Sequence, residues 1–152
     1  MEYDLRKRAK LRCMHLLERR DYTEKQLREK LEKGRTEYSQ DIIDEAIAYV
    51  KSYHYVDDRR FAQQYVECMQ TRKSRRQIAQ ELSVKGISRE LIHEVFEETE
   101  SVDEDELIRR WMEKRHYDPE AADMKERQRM YGFLARKGFQ SDAIFRMLKE
   151  EK

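Results

Sequence analysis

The apolar positions of this chain recur every three or four residues almost from end to end, the spacing of one buried helix face. Leu5, Ala9, Cys13, Leu16 and Leu17 mark such a stripe over a helix near residues 5–19. Leu27 and Leu31 carry a second helix, and Ile43, Ile47 and Val50 a third. The plan then returns with Phe61, Ala62, Tyr65, Val66 and Met69, with Ile78 and Leu82, and with Leu91 or Ile92 beside Val95 and Phe96. A third round runs through Leu107, Ile108, Trp111 and Met112, then Met130 and Leu134, then Ile144, Met147 and Leu148.

Start and stop signals fall between these stripes. Thr23 and Gln26 have the spacing of a reciprocal capping box, with Tyr22 placed to staple onto Leu27. Ser74 with Gln77, and Ser101 with Glu104, repeat that spacing. Ser39 or Asp41, Asp57 or Asp58, Ser88, and the Asp118–Pro119 pair are the remaining helix starts. Gly34, Gly86 and Gly138 follow one another at intervals of 52 residues in a chain with four glycines, and each stands where a helix ends. Gly86 suits a left-handed C-terminal cap, with Ile87 closing over Leu82, and Phe139 repeats that role over Leu134. The first round differs: Arg35 replaces the apolar closing residue, and the turn is longer.

The prediction is therefore an all-α chain of three tandem three-helix, helix-turn-helix-like repeats at 1–56, 57–100 and 101–152, forming an elongated curved array. Composition agrees: one proline and 43% charged residues suit helices, and the helical periodicity argues against disorder. No apolar run reaches the roughly 20 residues of a membrane span, and the N-terminus has no apolar stretch for a signal peptide. A cytoplasmic protein is expected, with Cys13 and Cys68 reduced and buried on their stripes.

The net charge of +1 conceals strong alternation. Residues 1–35 sum to +5, 36–58 to −5, 59–89 to +6, 90–106 to −9 and 107–152 to +4. A general nucleic-acid coater would be basic throughout, so the pattern fits a partner that shows both signs. Catalytic signatures are missing: the sequence has no phosphate-binding loop, no HExxH helix and no metal-like spacing of its four histidines. No cofactor and no enzymatic activity are expected. Trp111 and the Tyr53–His54–Tyr55 run read as core.

What remains is surface cations at equivalent places. Arg19, Arg20, Lys25, Arg28 and Lys33 cluster in the first repeat, and Arg72, Lys73, Arg75, Arg76 and Lys85 in the second. Arg127, Arg129, Arg136 and Lys137 echo them in the third. Basic residues beside a helix start suit anions, because free backbone amides point outward there.

The segments LLERRDYTEKQLREKLEKG, YVDDRRFAQQYVE, SRRQIAQELSVKGIS and FLARKGFQSDAI together resemble the RecX family, bacterial regulators of the recombinase RecA. The likeness runs from about Leu16 to Leu148; Gln140 departs from it, standing where a small capping residue is usual, and 97–126 is only loosely similar. The resemblance implies three three-helix repeats and a non-catalytic protein that lies in the groove of the RecA filament on single-stranded DNA. There it would restrain strand exchange, ATP hydrolysis and the coprotease activity. It supplies no catalytic residues, so the matched cations are the expected contacts with filament and DNA. A monomer is expected, with weak direct DNA binding. The residues alone also allow a helix-turn-helix DNA-binding regulator, or a helical scaffold for some other protein.

Overall fold

The computed structural model describes residues 2–149. Nine α-helices and no strand occur among them, and the helices fall into threes. The first three are α1 (Glu2–Arg19), α2 (Glu24–Glu32) and α3 (Gln40–Ser52). The middle three are α4 (Asp58–Met69), α5 (Arg75–Val84) and α6 (Arg89–Glu98), and the last are α7 (Glu104–Lys114), α8 (Met124–Arg136) and α9 (Ser141–Leu148). No helix among the described residues is long and apolar enough to cross a membrane.

The chain divides into two compact units, one of Met1–Gln64 with Leu82–Val95, the other of Tyr65–Glu81 with Phe96–Lys152. Each combines an outer repeat with part of the middle one. In the first unit α1 packs on α3 and α2, and Ala9, Cys13, Leu27, Leu31, Ile43, Ala46 and Val50 form a core sealed from solvent. In the second, α7 and α8 pack on α9 around Leu107, Ile108, Leu134 and Ile144. Removing one of these leucines down to alanine costs about 2–5 kcal/mol, so the stripes account for most of the fold's stability.

Local signals explain the helix ends. Thr23 closes the expected capping box, accepting from the Gln26 amide at 3.1 Å while the Gln26 side chain accepts from the Thr23 amide at 3.1 Å. Ser39, Asp57, Ser74 and Ser88 accept likewise at the starts of α3, α4, α5 and α6. After α5 the amides of Gly86 and Ile87 donate to the Ser83 and Leu82 carbonyls at 3.0 Å each, with Gly86 at φ 100°. After α8 the amides of Gly138 and Phe139 donate to Ala135 at 3.0 Å and Leu134 at 3.3 Å, with Gly138 at φ 93°. These paired bonds are the expected Schellman ends.

Two further ends use the same bonds without glycine. His54 at φ 60° and His116 at φ 56° close α3 and α7, each followed by a tyrosine whose amide reaches back to Val50 (2.9 Å) or Met112 (2.8 Å). Histidine is among the residues that tolerate this left-handed conformation.

Several expectations are corrected. Asp103, not Ser101, caps α7, accepting from the Asp105 amide at 3.0 Å. Asp118–Pro119 opens only a turn; α8 starts later, where Asp123 accepts from the Glu126 amide at 2.8 Å. Cys68 is exposed, because it lies two residues beyond Val66 and so faces away from the Ala62–Val66 stripe. Tyr53 and Tyr55 are also exposed, at 56% and 46%, stacked on each other at the end of α3. Gln140 makes no side-chain cap bond to α9.

Candidate functional site

At two of the basic helix starts that the sequence singles out, the first amide is already taken by a carboxylate. In the first unit the Glu24 amide, the first of α2, donates to the Asp58 carboxylate at 2.9 Å. In the second unit the Arg75 amide, the first of α5, donates to the Glu104 carboxylate at 2.9 Å. Each carboxylate begins the first helix of the following repeat. Burial holds the Asp58 carboxyl above its ordinary range, against the opposing pull of the Glu24 amide.

The cap hydroxyls complete the same joint. Thr23 donates to the Lys85 carbonyl at 2.5 Å, and Ser74 lies 3.4 Å from the Lys137 carbonyl in the equivalent contact. Thr23 and Ser74 are the two buried polar residues among those described, at 0% and 1% exposure. The glycine after each carbonyl is required twice over. A Cβ on Gly86 would stand 2.4 Å from Lys25 Cβ, and one on Gly138 would stand 2.5 Å from Gln77 Cβ. The recurrence of Thr23 with Gly86, and of Ser74 with Gly138, is thus a docking device between repeats. The anion expected at these helix ends is the protein's own carboxylate.

Arg75 is likewise structural. Its guanidinium donates to the Phe96 carbonyl at 2.9 Å and the Thr99 carbonyl at 2.8 Å, satisfying the end of α6, and it lies over the Phe96 ring. Lys73 binds Glu81 at 2.7 and 3.0 Å, and Tyr65 and Gln77 also donate to that carboxylate. Burial opposes ionisation of Glu81, but the combined bonds from Lys73, Tyr65 and Gln77 bring its pKa down to about 2. Arg127 lies half-buried against the Pro119 carbonyl at 3.5 Å.

Lys137, with Lys114 and Arg115 that the sequence did not single out, gathers on a pair of aromatic rings. Trp111 of α7 and Phe133 of α8 meet edge to face, 5.2 Å between centroids. Lys137 Nζ lies 4.5 Å from the Trp111 ring and 5.3 Å from Phe133. Arg115 sits 4.0 Å over Phe133, and Lys114 is 5.2 Å from Trp111. The indole N–H donates to the Arg72 carbonyl at 2.9 Å, which fixes the Arg72 backbone beside the rings. The Lys137 ammonium is driven below its ordinary pKa, first by burial and then by the charges of Lys73, Arg115 and Arg72. Glu81, paired with Lys73 at 2.7 Å, offsets part of this effect.

This cluster brings Arg72 and Lys73 of the second predicted group beside Lys137 of the third. It adds Arg115, Lys114, Trp111 and Phe133, which sequence reasoning missed. Their signal was available in the run Trp111 to Arg115, where cations flank an aromatic one helical turn away. Arg129 borders a neighbouring hollow with Arg115, while Arg76 and Arg136 are exposed elsewhere on the unit.

The other predicted cations belong to the first unit. Arg20 stacks over Tyr22 at 4.2 Å and donates to the Asp21 carbonyl at 3.2 Å. Arg28 pairs with Asp44 at 2.8 Å, Arg19 and Lys33 are exposed, and Lys25 lies against Gly86. No group of His, Cys, Asp and Glu among the described residues could hold a metal ion.

Comparison with known proteins agrees with the three-repeat order. Residues 9–49, 57–95 and 103–148 match models of the first, second and third three-helix domains of RecX. The chain is 33% identical over 145 residues to a "Regulatory protein RecX" of Trichlorobacter lovleyi, covering 92% of this chain and 93% of that one. Against the protein of that name from Caldanaerobacter subterraneus subsp. tengcongensis it is 36% identical, covering 93% of this chain and 70% of the other. The crystal structure of RecX from Lactobacillus salivarius shares the fold, with a TM-score of 0.71 at 19% identity over 97% of each chain. With its three helical domains matched in order and a relative at 33% identity covered over 93% of its length, the chain belongs to the RecX family of regulatory proteins.

Proposed function

We propose that this protein binds RecA and the RecA filament on single-stranded DNA, in the bacterial cytoplasm, and restrains strand exchange, ATP hydrolysis and coprotease activity. The observation that carries the reading is the gathering of Lys114, Arg115 and Lys137 on Trp111 and Phe133, with Arg72 beside them, in a chain of this family. Aromatic faces hold ammonium and guanidinium groups at fixed positions, so the cluster meets a phosphate without ordering several flexible side chains anew. Regulation then comes from occupying the filament, and no residue performs a bond-making step. The alternating charge suits a partner in which acidic and basic protein surfaces lie beside phosphates.

The test is a titration into RecA assembled on single-stranded DNA, read by ATP turnover at low salt. Near-equimolar protein should lower the rate. Charge reversal at Arg72, Arg115 and Lys137 should weaken the inhibition ten-fold or more while preserving helicity. An ATPase rate insensitive to the unaltered protein would overturn the proposal.

A further inference from the structure

The first glycine of the 52-residue series behaves unlike the other two. Gly34 does not adopt a positive φ, and a Cβ there would meet only its own helix, the Lys30 carbonyl at 3.3 Å and the Leu31 carbonyl at 3.8 Å. Neither turn geometry nor docking of another repeat requires a glycine at this point.

What Gly34 does is floor two adjoining hollows of the first unit, both of which also contain Arg12, Lys30 and Lys33 in their walls. Arg35 and Tyr38 border one side, and Arg20 and Tyr22 the other. Glu29 is the single carboxylate in either lining. Arg12, Lys30, Lys33 and Arg35 are exposed and form no ion pair among the described residues. Three acids of this unit pair with other cations: Asp44 with Arg28, Glu45 with Arg6 and Lys10, and Glu24 with Lys51. The negative end of α2 accounts for Lys30 and Lys33, which lie in or just beyond its last turn. It does not account for Arg12, brought in from α1, or Arg35, beyond the turn.

We propose that these hollows are a base-independent binding site for a phosphodiester chain, with Arg12, Lys30, Lys33 and Arg35 as the contacts and the bare Gly34 admitting the backbone. A polyphosphate chain fits better than an acidic peptide segment. It presents a charge at every unit, so it can occupy both hollows across their shared wall. The site rests on the nucleoprotein reading above only for the biological source of the chain; its chemistry is tested without RecA.

The probe is a fluorescent abasic deoxyribose-phosphate 20-mer, followed by anisotropy at 50 mM salt. The combined variant Lys30→Ala, Lys33→Ala, Arg35→Ala should bind it at least ten-fold more weakly. Its salt dependence, log K against log salt, should lose about 2 units of slope, near 0.7 for each cation removed. Arg6→Ala, which breaks an ion pair outside the hollows, should bind like the unaltered protein. Inorganic polyphosphate should displace the probe at matched phosphate concentration, and poly-glutamate of equal charge should compete far less well. Equal binding by the triple variant, failure of polyphosphate to compete, or preference for poly-glutamate would each overturn the site. Weakened probe binding alongside an unchanged RecA ATPase would leave this site standing and sink the filament reading. An inhibited ATPase with probe binding indifferent to the triple variant would do the reverse.

Discussion

Replacing Thr23 isolates what the joint at the start of α2 contributes. Its hydroxyl accepts from the Gln26 amide and donates to the Lys85 carbonyl, both with full burial. Thr23→Ala removes the helix cap, worth about 1 kcal/mol. It also removes the bond to Lys85, worth about 1 kcal/mol. The lost methyl adds about 0.8 kcal/mol. The expected loss is therefore about 3 kcal/mol. Thr23→Ser keeps both hydrogen bonds and forfeits only the methyl, about 0.8 kcal/mol. The assay is urea unfolding followed by circular dichroism at 222 nm, the three proteins compared at equal m-value. A Ser variant as unstable as the Ala variant would mean the hydroxyl contributes nothing and the joint is merely a close packing contact.

Gly86→Ala should cost roughly 2–4 kcal/mol, summing left-handed strain with the clash against Lys25 Cβ, whereas Gly34→Ala should stay within about 0.5 kcal/mol of the parent; thermal melts compare them. Arg75→Glu should destabilise by about 2–3 kcal/mol, because it strips the Phe96 and Thr99 carbonyls of their donor, while reversing exposed Arg72 and Arg76 leaves the melting temperature nearly unchanged. Glu81 has a folded pKa near 2, below the ordinary 4.5, so its stabilisation is complete above about pH 4.5 and disappears as pH falls toward 2. In Glu81→Gln that part of the acid limb should flatten in stability measured from pH 2 to 6, with lower stability at neutral pH where Lys73 loses its partner.

The helices and the three-fold order were legible because the stripes are clean and the caps are short-range chemistry: Thr23, Ser39 and Ser74 each act within three residues of themselves. The Schellman glycines were readable for the same reason. What escaped was decided by distant partners. Glu104 looks like the third position of a capping box with Ser101, yet its carboxylate serves the Arg75 amide, 29 residues earlier. Arg75 looks like a surface cation in a basic run, yet it completes the end of another helix. The aromatic pairing of Trp111 with Phe133 joins two helices, so no window along the chain contains both. Periodicity marked Trp111 as inward-facing, but the ring serves as a platform for cations on a half-buried surface.

The joint also sets a grammar for rearranging the chain. The middle repeat carries both halves of it, a proton-donating hydroxyl at Ser74 and a receptive carbonyl at Lys85. The third repeat has Asp123 at the matching start, which caps its own helix and, as a carboxylate, has no hydrogen to offer a neighbour. A gene duplication that copied the middle segment in place would splice compatible ends together. One that copied the last segment would not, until Asp123 became serine or threonine.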